Sequence, residues 1–173
     1  MTELVRPSLE WYDAWVACRR DFGDDPSVIH GDGHWNLPAE LQRDIDRGVF
    51  EAFVPLILRF GQESADGHLV PTDFRWIVDG EELIGFIRIS HRLEGRLLDH
   101  GHIGYSIRPS RRREGHASRA LALALEHCRG LGIDRVLVCC AEGNTASERT
   151  IVANGGVYES TRGEYRRFWI PLD

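Results

Sequence analysis

The amino-acid sequence predicts an α+β fold, an α/β/α sandwich in which a mixed, mostly antiparallel sheet of about seven strands is flanked by helices. Short runs of alternating apolar residues, bounded by glycine and proline, recur along the chain and are typical of strands. Longer runs with helical spacing lie between them. A chain of 173 residues without an internal repeat or a linker has the size of one domain, so we expect a single domain over residues 1–173.

The composition disfavours two classes of protein. A formal net charge of -6 argues against nucleic-acid binding, because phosphate backbones require a basic surface. No apolar run reaches the length of a bilayer and no apolar leader begins the chain, so we expect a cytoplasmic protein without a membrane partner. The cysteines have neither metal-site spacing nor a disulfide pattern, so we expect reduced core residues and no metal. They are Cys18, Cys128, Cys139 and Cys140.

The first part of the chain predicts one strand and three helices. Glu3–Arg6 is a candidate first strand, and Ser8 can cap the helix that follows it. Leu37–Gly48 and Phe50–Phe60 both have helical spacing, although Pro55 should kink or start the second of them.

A loop over residues 23–37 separates the first two of these helices. Its glycines and prolines exclude regular structure, and it carries His30, Asp32, His34 and Trp35. Polar groups beside an aromatic ring can bind and cover a substrate, so His34 and Trp35 are candidate substrate-binding residues. The alternative is a surface loop that is tucked over the sheet.

A hairpin and a charged segment precede the centre of the sheet. Phe74–Val78 and Leu83–Ser90 alternate as strands, and the turn sequence Asp79–Glu82 joins them. Gly85 inside the second strand predicts a bulge or a close backbone approach. His91–His100 forms a charged excursion.

The most informative stretch has the order strand, turn and helix. Ile103–Ile107 alternates as a strand, three consecutive arginines and Gly115 follow, and an apolar helix runs to Leu131. Free backbone N–H groups at a helix start, a glycine and nearby guanidinium groups together form a binding site for a phosphate or pyrophosphate. The alternative is a solvated, charged turn.

Two more strands complete the predicted sheet. Arg135–Cys140 should lie parallel to the central strand after a right-handed crossover. Tyr165–Ile170 alternates as a final edge strand, whose exposed aromatic residues could pair between two subunits, so a homodimer is one expected partner state.

The stretch at residues 112–117 resembles a family signature. Its sequence, Arg-Arg-Glu-Gly-His-Ala, is similar to the Arg/Gln-x-x-Gly-x-Gly/Ala motif of the GNAT superfamily of acyl-CoA-dependent N-acyltransferases. Asn144 and Ser147 follow the next strand as in the family's Asn-x-x-Ser helix, and a closing glycine follows at Gly155. The resemblance extends over residues 73–170, a little over half of the chain.

The resemblance implies a fold with splayed central parallel strands and acetyl-CoA as co-substrate. Residues 73–173 would form the acyl-CoA-binding core, and residues 1–72 the variable, substrate-side part. Ser147 could equally be an ordinary helix residue. Residues 112–117, called the cradle below, would bind the pyrophosphate of acetyl-CoA, and the central strand and the Asn-x-x-Ser helix would contact its pantetheine arm. The expected contact residues are Ser106, Ile107, Arg108, Arg112, Arg113, Glu114, Gly115, His116, Ala117, Asn144 and Ser147.

The catalytic groups depart from the family pattern. Many members carry a tyrosine seven residues after the asparagine, where this chain has Ile151. The thiolate could leave unaided, since a thiol has a pKa of about 8.5, or Tyr105 or Tyr158 could donate the proton. His102 occupies a position where many members carry glutamate, so it is the candidate base. A structural or substrate-orienting role is the alternative for His102.

The resemblance therefore implies an N-acetyltransferase. The expected reaction moves an acetyl group from acetyl-CoA to a primary amine of a small molecule or peptide, by direct attack in a ternary complex. The missing tyrosine motivates the alternative of a non-catalytic acyl-CoA sensor. The sequence leaves the acceptor and the acyl-chain length open.

Overall fold

A computed structural model describes residues 1–42, 45–62 and 69–172. In these ranges seven strands form one sheet with the order β1-β2-β3-β4-β5-β7-β6. The pair β4–β5 is parallel, and the other neighbours are antiparallel. The predicted fold class is thereby confirmed. The strands are β1 Thr2–Val5, β2 Thr72–Asp79, β3 Glu82–Ser90, β4 Ile103–Ile107, β5 Arg135–Ala141, β6 Val157–Arg162 and β7 Tyr165–Pro171.

Helices cover both faces of the sheet. On one face, α1 packs against β3 and α2 against β2; on the other, α4 packs against β1 and β4, and α5 against β5. None of the helices within the described ranges is long and apolar enough to cross a membrane. The helices are α1 Tyr12–Asp21, α2 Arg47–Arg59, α3 Leu97–His100, α4 His116–Gly130 and α5 Thr145–Ala153.

The sheet separates two hydrophobic cores of different composition. The core under α4 and α5 is mostly aliphatic and contains Ile87, Ile103 and Leu121, each fully buried. The core under α1 and α2 is rich in aromatic side chains, including Trp15 and Phe50, whose ring centroids are 5.1 Å apart. Alternation along the strands produces both cores, because successive side chains point to opposite faces.

Gly85 lies at a bulge and a close backbone approach, as its position predicts. The β2–β3 register passes from Ile77–Gly85 to Val78–Leu83 and so skips one residue. A Cβ atom at Gly85 would lie 2.3 Å from the carbonyl oxygen of Ser106, so only glycine lets β3 and β4 approach here.

The predicted helix over Leu37–Gly48 is wrong. The structure has a short 3₁₀ turn at Ala39–Leu41, residues 43 and 44 lie outside the described ranges, and α2 begins only at Arg47. Asp46 sets that start, since its side chain accepts a hydrogen bond from the Val49 N–H at 2.8 Å. The predicted helix over 50–60 is present as the main part of α2, which accommodates a proline in its interior.

The prediction that Tyr165–Ile170 is an edge strand is also wrong. This segment is β7, which pairs with β5 on one side and β6 on the other, so it has no free edge for a second subunit. The sequence did not indicate β6 because its positions are mostly exposed and lack alternating apolar residues. The true edge at this end is β6.

Candidate active site

The two parallel strands at the centre of the sheet separate beyond one point. β4 and β5 are in register at Ile103–Val138, whereas β3 and β4 pair at five positions and β5 and β7 at seven. Next to this point the His102 N–H donates to the Leu137 carbonyl at 2.8 Å. The remaining parts of β4 and β5, all within the described residues, form an opening in the sheet, as the resemblance implied.

The peptide groups that face this opening follow from the pairing of β4 with β3. The Arg108 N–H donates to the Ile84 carbonyl at 2.9 Å, and the Ser90 N–H donates to the His102 carbonyl at 2.8 Å. Because the direction of peptide groups alternates along a strand, those of Ser106 and Arg108 face β3. Of the predicted segment 106–108, only Ile107 directs its backbone toward the opening, and Tyr105 does so as well.

The N-terminus of α4 lies at one end of the opening and presents free N–H groups. Gly115 precedes the helix in the left-handed conformation, with a φ of 83°, and its carbonyl accepts the first helical hydrogen bond from Arg119 at 3.1 Å. The N–H groups of residues 116–118 therefore have no intrahelical acceptor. Gly115 is exposed, and a Cβ atom there would meet nothing within 4 Å. This geometry suits an anion.

Two arginines before the helix stabilise the fold. The guanidinium of Arg108 pairs with Asp21 at 2.9 Å and with Glu82 at 3.1 Å. Arg111 pairs with Asp79 at 3.0 Å and also contacts Glu82. The guanidinium of Arg108 is therefore held by two carboxylates, whereas the cofactor contact predicted for this residue is one of its backbone.

The next two arginines are exposed at the start of the cradle. Arg112 donates from Nε to the Ile107 carbonyl at 3.0 Å, which places its guanidinium beside the opening. Arg113 has a φ of 68° and forms no ion pair with any residue in the described ranges. Arg112 and Arg113 are therefore the cations of this loop that a phosphate could reach.

Glu114 and His116 fix the loop through their side chains. His116 Nδ1 lies 2.9 Å from Thr2 Oγ1 in β1, and its Nε2 lies 3.2 Å from Glu114 Oε2. Hydrogen bonds from Arg111 and His116 lower the pKa of the exposed Glu114 carboxyl. Only the backbone of these two predicted cofactor residues, like that of Ala117, is placed to bind a ligand.

Across the opening, Asn144 and Ser147 lie at the start of α5. The Asn144 side-chain oxygen accepts from the Ser147 N–H at 3.1 Å and caps the helix. Ser147 Oγ lies 3.0 Å from the Tyr105 hydroxyl, so one hydrogen bond joins β4 to α5. Burial raises the pKa of Tyr105 to about 12.

Two other positions named for the proton donor are placed elsewhere. Ile151 is fully buried in the aliphatic core. Tyr158 lies on β6, two strands away from β4–β5, and its hydroxyl is 2.9 Å from Thr161 Oγ1. Of the two candidate donors Tyr105 and Tyr158, Tyr105 is thus the one that lies beside the opening.

His102, the predicted base, bridges β4 and β5. Its Nδ1 accepts a hydrogen bond from the Leu137 N–H at 2.9 Å, and its ring centroid is 6.5 Å from that of Trp169. Burial lowers the pKa of His102 to about 4, so the imidazole is neutral at pH 7. With one ring nitrogen engaged by the backbone, this geometry supports the structural alternative.

The loop over residues 23–37 lies on the sheet beside β4. The Ser106 hydroxyl donates to the His30 carbonyl at 2.7 Å, and the His30 N–H donates to the Ser106 hydroxyl oxygen at 3.2 Å. A Cβ atom at Gly31, where φ is 91°, would be 2.6 Å from the Gly104 carbonyl oxygen. The loop is therefore tucked over the sheet, as the alternative interpretation predicted, with His30 and Gly31 against β4. Its role in substrate binding stays a prediction.

His30 is a candidate proton acceptor that the sequence pattern alone does not single out. Its side chain is exposed at the surface beside β4. Burial of part of the ring lowers its pKa, and the positive charge of Arg88 contributes. A neutral, accessible imidazole at this point can accept a proton. The signal in the sequence was a histidine before Gly31, whose close approach to β4 only the structure shows.

His34 and Trp35 differ in accessibility. His34 is buried, and its Nδ1 lies 2.6 Å from Asp32 Oδ1, while the other oxygen of Asp32 pairs with Arg19. Trp35 is 43% exposed and packs near Phe74 of β2, with ring centroids 6.0 Å apart. His34 thus belongs to an internal charge network, and only Trp35 presents a surface to a substrate.

A mostly antiparallel sheet with one splayed parallel pair beside an anion-binding helix N-terminus is the architecture of an acyltransferase. A family model described as an acetyltransferase (GNAT) domain matches residues 10–157. The chain therefore belongs to the GNAT acetyltransferase family, which confirms the resemblance of the motif at residues 112–117. None of the curated proteins matches the chain in sequence.

Solved structures share the fold at low sequence identity. RimJ of Mycobacterium smegmatis, in complex with a CoA disulfide, is 19% identical over 98% of this chain and 81% of that chain, with a TM-score of 0.69. An acetyltransferase of Salmonella typhimurium that modifies the N-terminal serine of ribosomal protein L7/L12 is 16% identical over 99% and 95%, with a TM-score of 0.64. The microcin C7 self-immunity acetyltransferase MccE, with acetyl-CoA and AMP, is 12% identical over 98% and 92%, with a TM-score of 0.67.

Proposed function

We propose that this protein transfers an acetyl group from acetyl-CoA to a primary amine of a small molecule or peptide, by direct attack in a ternary complex. The observation that carries the proposal is the opening between β4 and β5, with the free N–H groups of α4 at one end. The family membership supports it, as do the CoA and acetyl-CoA complexes of RimJ and MccE.

The cradle and the strand would divide the binding of acetyl-CoA between them. The N–H groups of residues 116–118, with Arg112 and Arg113, would bind the pyrophosphate. The peptide groups of Tyr105 and Ile107 that face the opening would form hydrogen bonds with the pantetheine arm, which would lie beside β4 like an additional strand. When bound, acetyl-CoA supplies the activated thioester.

His30 would prepare the amine. A primary amine is protonated at neutral pH and must lose that proton before it can attack. The neutral imidazole of His30, held beside β4 by Ser106, can accept the proton directly or through one water. His102 remains the second candidate for this role, although its Nδ1 is engaged by Leu137.

The Tyr105–Ser147 pair would stabilise the leaving thiolate. With a pKa of about 12, Tyr105 is a weaker acid than a thiol, which titrates at about 8.5. It therefore holds its proton and donates a hydrogen bond to the sulfur, which leaves as a thiolate. This role does not need the tyrosine that Ile151 replaces.

We further propose that residues 1–72 select the acceptor, since this part supplies the loop beside β4. The exposed indole of Trp35 offers a surface for that acceptor. All four cysteines are free, and three of them are buried, which suits a protein of the reducing cytoplasm.

The test combines calorimetric titration of CoA with thiol release from acetyl-CoA in the presence of a panel of small amines and peptides. We expect CoA binding and acceleration by one class of amine. The His30→Gln variant should keep its CoA affinity and lose roughly 100-fold in rate at pH 7, because the proton acceptor is gone. CoA binding without a response to any amine favours the sensor alternative, and absence of CoA binding refutes the proposal.

A further inference from the structure

A cluster of potential metal ligands lies near the C-terminal end of α4. Asp73 at the start of β2, His91 just after β3 and His127 in α4 bring three ligand atoms within 4.8 Å of one another. Asp73 Oδ2 is 2.9 Å from His91 Nε2 and 2.7 Å from His127 Nε2. We propose that these three side chains bind a divalent transition-metal ion of the zinc type.

The chemistry and spacing of the ligands fit such an ion. Zinc binds imidazole nitrogen and carboxylate oxygen at about 2.0–2.2 Å, so two ligands on one tetrahedral ion lie about 3.3 Å apart. The two oxygen–nitrogen separations in the cluster therefore need to widen by only about 0.5 Å. Three protein ligands leave a fourth position for water, and the side chains are partly accessible, at 15% for Asp73, 21% for His91 and 34% for His127.

Hydrogen bonds orient the Asp73 carboxylate within the cluster. Its Oδ2 lies within hydrogen-bond distance of both imidazoles. Arg75 lies 3.5 Å from the other oxygen, Oδ1, which leaves Oδ2 directed at the two imidazoles. Metal binding would replace the hydrogen bonds at both Nε2 atoms with coordination bonds.

The position of the cluster separates it from the anion cradle. His127 lies eleven residues along α4 from its first residue, so the site is about 16 Å from the anion cradle. The ion would join the end of α4 to the open end of the β2–β3 hairpin. No local sequence pattern indicates the cluster, because Asp73 is separated from its partners by 18 and 54 positions.

The test uses the full chain, stripped of metal with a chelator. Calorimetric titration with ZnCl₂ should give one ion per chain, and CoCl₂ should give a visible spectrum without the intense charge-transfer band of a thiolate ligand. His127→Gln and His91→Gln should each weaken zinc binding at least tenfold, because glutamine can still donate to Asp73 but is a poor zinc ligand. His100→Gln, which changes an exposed histidine outside the cluster, is the matched control and should bind as the unaltered protein does.

The stability of each variant separates a lost ligand from a lost fold. Zinc should raise the Tm of the unaltered protein and of His100→Gln, and should raise the Tm of the other two variants less at the same zinc concentration. Failure of the unaltered chain to bind one zinc ion overturns the proposal, as does undiminished zinc binding by both site variants. Titration of CoA into the same samples shows whether the CoA site is intact, so a failure of zinc binding can be told apart from a failure of the proposed acetyl transfer.

Discussion

Two histidines near β4 show how surroundings determine what one type of residue can do. His102 is 5% exposed, has one ring nitrogen bonded to the backbone and has a pKa near 4. His30 is exposed, and the backbone of this residue, rather than its ring, makes the contacts to Ser106. The first ring is therefore suited to joining two strands, and the second to moving a proton.

The buried imidazole should make folding stability depend on pH. The folded pKa of His102, about 4, lies below the unfolded value of about 6.5. Its contribution to stability is therefore complete above pH 6.5 and is lost as the pH falls toward 4. Between pH 7 and pH 5 the loss should be about 2 kcal/mol.

Urea unfolding of the unaltered protein and of His102→Asn, at pH 7 and pH 5, measures this term. Asparagine retains an acceptor for the Leu137 N–H but does not titrate, so the variant should lose about 2 kcal/mol less stability over the same interval. Equal pH dependence in both proteins would show that His102 is not the titrating group.

At the scale of elements, the turn between β4 and α4 does most to define the site. Its function depends on free N–H groups and on a glycine with positive φ, which are properties of the local chain. This explains why the sequence could indicate the glycine and the free N–H groups at the start of α4, while Leu37–Gly48 and Tyr165–Ile170 were assigned wrongly. The first of these segments depends on the Asp46 cap, and the second on an exposed partner strand with almost no apolar signal.

A charge placed in the cradle should abolish CoA binding. Gly115→Glu and Gly115→Gln introduce the same backbone strain and nearly the same volume, and a Cβ atom at this position meets nothing within 4 Å. Only the glutamate repels a phosphate. We expect CoA affinity at least tenfold lower for the glutamate variant than for the glutamine variant, by calorimetric titration. Equal affinities in two folded variants would contradict the cradle.

At the scale of the whole molecule, the contact of the 23–37 loop with β4 joins the N-terminal part to the centre of the sheet. This contact requires Gly31, because its missing side chain lets the loop backbone lie against Gly104 and Ile87. No local pattern encodes that approach, since the partners are more than fifty positions away in the sequence. The sequence could therefore name the loop's polar residues but could not identify His30 as the one beside the opening.

Gly31→Ala should displace the loop, and Gly23→Ala is its matched control. Both glycines have positive φ, but a Cβ atom at Gly23 meets nothing within 4 Å, whereas at Gly31 it would be 2.6 Å from a carbonyl oxygen. Both variants should lose about 1 kcal/mol from backbone strain, and Gly31→Ala about 1–3 kcal/mol more. Urea unfolding measures these losses of stability. In Gly31→Ala the KM for the amine, from steady-state kinetics, should rise while the CoA affinity, from calorimetry, stays constant. Equal stability and equal KM in the two variants would rule out this role for the contact of Gly31 with β4.

The single point of registry between β4 and β5 has a consequence for cooperativity. The sheet is in effect two ribbons, one of four strands and one of three, that are joined at Ile103–Val138, by the hydrogen bonds between His102 and Leu137, and by the helices. Amide protons bordering the opening should exchange through partial separation of the ribbons, at a lower free energy than global unfolding. A co-substrate that bound across the opening would complete the hydrogen-bond ladder between the two ribbons. Its binding free energy would then also raise the free energy needed to separate them.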